Sequence, residues 1–218
     1  MLEVANLECL RGDRRLFRDL SFSLTPGTLL QITGPNGSGK TSLLRILCGL
    51  TSPESGQIKW QGAEIHSLAE EYSRSITYIG HRIAVKEELS SIENLRISSG
   101  LAGCELSQDQ AQQALARVGL AGRENLPARF LSEGQRRRSA LARLINCSAV
   151  LWILDEVLAS LDHAAVTLVE SLLSEHLSKG GMAIVATHQE LHISAGLFHR
   201  LELEPPGSGG TASLGSPS

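Results

Sequence analysis

No stretch of this 218-residue chain stays apolar for long. The longest such run is AVLWIL, residues 149–154, which is strand length and far short of the ~18 residues that span a bilayer. If the protein serves a membrane, another chain has to cross it. A basic excess is also lacking. The formal net charge is −3, so charge gives no footprint for nucleic acid. The four cysteines, Cys9, Cys48, Cys104 and Cys147, lie far apart and form no CxxC or CxxCH spacing, which excludes the usual zinc and haem-attachment patterns. They read as free thiols in a reducing compartment. The first residues, MLEVANLECLRGDRR, carry acid early and no apolar core, so no secretory signal is expected. No internal repeat is visible.

What is present is ordinary for a soluble globular protein: 42% hydrophobic and 20% charged residues. The length suits one large domain or two small ones, with a core that needs neither disulfide nor metal. Residues 2–33 alternate or run apolar as strands do, in LEVANLECL, LFRDLSFSL and TLLQIT. TSLLRILCGL, 41–50, has helical spacing and a glycine stop, and GQIKWQGAEI reads as a strand pair. ITYIG, from residue 76, is a strand. From about 86 to 148 the spacing turns helical, in SIENLRISSGLA, SQDQAQQALARVGL and EGQRRRSALARLI. AVLWILDE, MAIVATH and GLFHRLEL are further strands, with an amphipathic helix, HAAVTLVESLLSEHLSKGG, before the second of them. Alternating strands and helices predict a parallel-rich α/β core carrying a helical insertion, one domain over 1–204. The remaining PPGSGGTASLGSPS, 205–218, is Pro/Gly/Ser-rich and is expected to be disordered.

GPNGSGKT, residues 34–41, matches G-x-x-x-x-G-K-[ST] in full, between a predicted strand and a predicted helix. Gly34, Gly37 and Gly39 let the backbone wrap closely, so that its N–H groups face phosphate oxygens. The helix N-terminus adds partial positive charge. Lys40 reaches the β- and γ-phosphates, and the Thr41 hydroxyl can ligate Mg²⁺. Pro35, Asn36, Ser38 and Ser42 complete the nucleotide-binding set. VLWILDE, 150–156, is an apolar strand that delivers Asp155 to its C-terminal edge, suited to the Mg²⁺ shell, and Glu156 one step beyond, placed to orient or deprotonate a water.

With these two motifs come LSEGQ at 131–135, ASLD at 159–162 and His188 in VATHQ. In that order they resemble the nucleotide-binding subunits of ATP-binding cassette (ABC) transporters, over nearly the whole chain to about residue 204. The resemblance implies a P-loop ABC fold with an N-terminal antiparallel β subdomain and ATP hydrolysis with Mg²⁺. It implies Lys40, Glu156 and His188 as catalytic residues. Leu131, Ser132, Glu133, Gly134 and Gln135 stand as the signature, with Glu133 where glycine is more usual. Ser160, Leu161 and Asp162 stand as the D-loop. One set of motifs implies a homodimer in which each signature caps the partner's ATP. On its own chemistry Ser132 is an N-cap, an anion-binding helix start, or both, and His188 is either a polar strand terminus or a γ-phosphate contact.

Two departures narrow the resemblance. Arg11 stands where many members stack an aromatic on adenine; its guanidinium either stacks in the same way or lies on the surface. His81 stands where the Q-loop glutamine is usual. GHRIAVKEELSSIENL, RGDRRLF, LSEGQRRRSALARL and LWILDE together resemble the cytochrome c maturation branch, the haem-exporter ATPases. Val157 differs there from the usual proline. That branch implies integral membrane subunits as partners, a place on the cytoplasmic face of a bacterial inner membrane, and haem export or haem release to a periplasmic chaperone. The alternatives are an ABC ATPase for another substrate and a soluble ABC protein acting on DNA or ribosomes. The run Arg136–Arg138, in a net acidic chain without interleaved aromatics, reads as helix-surface pairing rather than nucleic-acid contact.

Overall fold

The first two strands alternate buried and exposed side chains and fold back on each other. β1 (Leu2–Arg11) and β2 (Arg14–Leu24) pair antiparallel across a tight turn at Gly12, and β1 also pairs with β4 (Ser55–Trp60). β4 returns through Gln61 and Gly62 into the short β5 (Ala63–Glu64). The sheet order is β2-β1-β4-β5. The computed structural model describes residues 1–80, 84–159 and 161–205 together with the backbone of 212–215.

The second sheet holds the apolar strands. β3 (Thr28–Thr33), β6 (Ile76–Ile79), β7 (Leu151–Asp155), β8 (Met182–Ala186) and β9 (Leu197–Leu203) run parallel, in the order β9-β3-β8-β7-β6. β7 and β8 are buried at every position, as expected for strands covered on both faces. The period of two sends alternate side chains to different cores. Leu30, Ile32, Leu151, Ile153 and Ile184 pack with Leu43, Leu44 and Leu47 of helix α1 (Lys40–Leu47) and with the antiparallel sheet. Leu29, Trp152, Leu154, Ala183 and Val185 face the other way, against α6 (His163–Ser178) and the helical block.

That block contains α3 (Ser91–Leu101), α4 (Gln108–Arg117) and α5 (Glu133–Leu141), inside the stretch expected to be helical. All three start on a capping box of the form S-x-x-E/Q: Ser90 with Glu93, Ser107 with Gln110, Ser132 with Gln135. α2 (Ala69–Ser75) was not expected. It buries only Tyr72, so its sequence carries little apolar periodicity.

The tail expected to be disordered departs from that expectation at one point. Ala212–Gly215 form β10, antiparallel to β9 with Ala212 opposite Leu203 and Gly215 opposite Arg200. β9 without it would present a row of open backbone donors and acceptors, which a returning segment can satisfy whatever its composition. Residues 206–211 and 216–218 lie outside the described residues. Among the described residues no helix is long and apolar enough to cross a membrane.

Candidate nucleotide site

β3 ends at Thr33 and the chain turns sharply into α1. Gly34 (φ 137°) makes that turn, and Gly39 (φ 105°) is the N-cap of α1, with no side chain capping it. The first-turn N–H groups are therefore left for a ligand. Asn36, Gly37, Gly39, Lys40, Thr41 and Ser42 line one cavity of about 250 Å³, joined by Arg11, Leu16 and Glu156. Eight of these nine residues are site residues expected from the sequence, and the hairpin, the loop and the strand end bring them together. Arg11, at the exposed end of β1, is thus at the mouth of the phosphate loop. Leu16, on β2, is the member that sequence reasoning missed; its buried place in LFRDL signalled a core residue only.

Lys40 is nearly buried, its side chain 8% exposed. Its Nζ donates to the carbonyls of Gly34 (2.7 Å) and Pro35 (3.3 Å) and to Nε2 of His188 (3.0 Å). An ammonium has no lone pair, so this Nε2 is the acceptor nitrogen of the ring. Glu156 Oε1 lies 3.9 Å from Lys40 Nζ and 3.6 Å from His188 Nε2. The three side chains placed in catalytic roles by sequence thus converge on one point.

Each is held by backbone. Glu156 has a left-handed φ of 52°, rare for a residue with a side chain, and its N–H donates to the Ala186 carbonyl at 2.9 Å. His188 follows β8 in a loop fixed at both flanks. Thr187 N–H donates to the Ile32 carbonyl (3.2 Å), Gln189 N–H to Thr187 Oγ1 (3.1 Å), and the buried Gln31 amide to the Gln189 carbonyl (2.9 Å).

Asp155 is fully buried at the end of β7. Its Oδ2 is 3.5 Å from the Tyr78 hydroxyl, and its Oδ1 has no partner among the described residues. Burial, and then the Asp155 charge, push the Tyr78 phenol up to about 12, so it stays a donor. Tyr78 was read only as a strand residue, although its strand lies beside β7. A buried carboxylate oxygen without a donor, one residue before the Glu156 that shares a cavity lining with Thr41, fits a hard divalent cation that takes most of its other ligands from phosphate and water. Ser38, also fully buried, has an unpartnered Oγ as well. Val157 is buried in the core on the helical side, so losing the usual proline leaves the turn anchored.

The signature residues do not line this cavity. Ser132 caps α5: its Oγ accepts from Gln135 N–H (3.2 Å), and Gln135 Oε1 accepts from Ser132 N–H (3.0 Å). Leu131 is buried, while Glu133 is tied to Arg137 at 3.0 Å. Arg136 pairs with Glu87 at 3.3 Å and Arg138 with Asp162, so the basic run is engaged by carboxylates. Leu161 packs against the helical-side core and Asp162 caps α6. His81 and Ser160 lie outside the described residues.

The ABC transporter family model matches residues 17–159. The cytochrome c biogenesis ATP-binding export protein CcmA of Nitrosomonas europaea is 57% identical over 203 residues, 93% of this chain and 95% of that protein. The chain belongs to the ABC transporter ATPase family, in its cytochrome c biogenesis branch. The CcmA protein of Dechloromonas aromatica is 51% identical, over 93% of this chain and 100% of its own. Among solved structures, the dimeric post-hydrolysis state of the ATP-binding cassette MJ0796, bound to ADP and Pi, superposes with a TM-score of 0.79. It is 20% identical and covers 94% of this chain and 96% of that one, a likeness of fold.

Proposed function

We propose that this chain is the ATP-hydrolysing subunit of a membrane ABC complex for c-type cytochrome biogenesis, powering haem export or haem release to a periplasmic chaperone. The observation that carries the hydrolytic part is the convergence of Lys40, Glu156 and His188 beside the open N-terminus of α1. Lys40 spends its three protons on two loop carbonyls and His188. A γ-phosphate offers a full charge in exchange for these contacts, and draws the ammonium toward it. Glu156, released from that pairing, orients and deprotonates the attacking water, and His188, once Lys40 has turned to the phosphate, can carry its proton on Nε2 and donate to the transferred group. Thr41 and Asp155 would hold Mg²⁺, which supplies charge neutralisation across the β- and γ-phosphates when bound. Arg11 flanks the cavity where a base would lie.

Because the signature lies away from the chain's own cavity, a second copy supplies it. Ser132 and the N–H groups of Glu133 and Gly134, at a helix start, then face the partner's ATP, giving a head-to-tail homodimer. Closing on two ATP molecules and reopening after hydrolysis drives integral membrane subunits from the cytoplasmic face of a bacterial inner membrane. The branch assignment and the names of the close relatives support the cytochrome c role over transport of another substrate. The test is a membrane pull-down with wild-type and Lys40→Ala protein, with c-type cytochrome and haem readouts in cells. Membrane subunits should co-purify and mature cytochrome c should disappear in the variant. Normal cytochrome c levels in Lys40→Ala cells would overturn the assignment.

A further inference from the structure

Asp162 does two jobs with one carboxylate. Oδ1 accepts from the Ala165 N–H at 2.9 Å and caps α6, and Oδ2 accepts from Arg138 Nη2. Both interactions hold the Asp162 carboxyl below the usual carboxylate range, the helix cap being the larger cause. Arg138 lies on α5, the helix that begins at Ser132. Its guanidinium also fills a slot beside Gly119, where a Cβ would come within 2.8 Å of Nη1. The Arg138 side chain is 23% exposed, more sheltered than either partner in the Arg117–Glu175 pair on the outer surface. Three segments therefore meet at one guanidinium: the end of α4, the signature helix and the end of the D-loop.

The other end of that loop is fixed differently. Val157 and Leu158, directly after Glu156, are buried in the helical-side core, and Ala159 N–H donates back to the Glu156 carbonyl at 3.2 Å. The loop is held by apolar packing of Val157, Leu158 and Leu161 on the helical-side core, and by one charged hydrogen-bonded pair at its finish. That pair ties the loop's end directly to α5.

We propose that Arg138 is a positioning residue that ties the D-loop to the signature helix of the same chain through Asp162. The helix start offered to the partner's nucleotide and the loop leaving this chain's own Glu156 then move as one body, linking the two ATP sites of the dimer. This rests on the ABC ATPase reading above. Arg138 touches neither nucleotide; it acts through Asp162.

Asparagine is as good an N-cap as aspartate, so Asp162→Asn keeps the α6 cap and removes the charge that Arg138 grips. The test compares Arg138→Ala, Arg138→Lys, Asp162→Asn and the Arg138→Ala/Asp162→Asn double variant. Hydrogen exchange of the 157–162 amides, measured on the nucleotide-free protein, should speed up about fivefold to tenfold in Arg138→Ala and Asp162→Asn, the range that the net contribution of one solvent-accessible hydrogen bond supports. ATPase kcat should fall by a similar factor while KM for ATP stays within twofold. Lysine should restore part of the loss, and the double variant should be no worse than the single ones. Unchanged exchange in both single variants, or kcat losses that multiply in the double variant, would overturn the link. Exchange needs no turnover, so a protein whose ATPase is absent even in the wild type would refute the ATPase reading without deciding this one.

Discussion

Replacing Gly34 by alanine tests whether the phosphate loop is built as described. The added Cβ would stand 2.4 Å from the Leu203 carbonyl oxygen and 2.9 Å from Ser38 Oγ. The first is about 1 Å short of an ordinary contact, and Leu203 cannot yield easily, being hydrogen-bonded into β9 between β3 and β10. The loop must move instead. Its φ of 137° is close to glycine-only territory, a strain of about 1–3 kcal/mol, and overpacking adds about 1–3 kcal/mol. A total of about 4 kcal/mol lowers Tm by about 8–16 °C in a chain of this size, within what a domain of ordinary stability survives. A displacement of about 1 Å in a group that orients the reaction costs on the order of 100-fold in rate. Steady-state ATPase kinetics and thermal unfolding, read beside Gly62→Ala, separate the parts. Gly62 has φ 87° with open space around it and does not line the cavity, so its substitution should lower Tm modestly and leave kcat/KM alone. A Gly34→Ala protein with kcat/KM within threefold of wild type would refute this account of the loop.

Glu156→Gln should bind ATP and turn over at less than about a hundredth of the wild-type rate, since general-base action is worth roughly 10²–10⁴; retained hydrolysis would remove Glu156 as the base. Arg11→Ala should raise the KM for ATP several-fold with kcat little changed, and an unaltered KM would leave Arg11 without a base-stacking role. Ser132→Ala removes the α5 cap, so chemical denaturation should show a loss of about 1 kcal/mol, while ATPase activity falls further than that loss explains; activity that merely tracks stability would reduce Ser132 to a cap. His176 is the pH probe. Burial holds its pKa below the ordinary value, against the raising effect of its contacts with the Met182 and Val150 carbonyls. Its contribution to stability is therefore complete above about pH 6.5 and is lost as pH falls through the depressed folded value. Denaturation midpoints should drop between pH 7 and 5.5, and His176→Phe, which keeps a ring against Trp152, should flatten that part of the profile.

Much of the fold was legible because its signals are local. The Ser132 N-cap is read from a short local pattern, as the unread capping boxes at Ser90 and Ser107 could have been. The buried strands β7 and β8 are apolar runs too short for anything but a strand covered on both faces. The phosphate loop is legible for the same reason, since its chemistry is written in eight consecutive residues. α2 escaped because a helix that buries one tyrosine has no periodicity to read. β10 escaped because what orders it is the open edge of β9, a partner about ten residues away, and its own composition speaks for disorder.

The site divides along the same line. Lys40 and Glu156 are separated by more than a hundred residues, yet each was legible from its own motif, and the structure adds only that they meet His188 at one point. Tyr78 and Leu16 have no motif. Each looks like a core residue in its own strand, and becomes part of the site because parallel pairing of β6 with β7 sets Tyr78 beside Asp155, and the β1–β2 hairpin sets Leu16 over the loop. Arg138 was legible as a charge that would pair, but its partner was fixed only by packing α5 against the turn before α6. Chemistry carried by a contiguous motif survives the loss of three-dimensional information, whereas chemistry carried by register and packing does not. The positions that tune this ATPase, as opposed to those that define it, therefore belong to the second kind, and substitutions at Tyr78, Leu16 and Arg138 should change rate and coupling while leaving every ATP-binding motif intact.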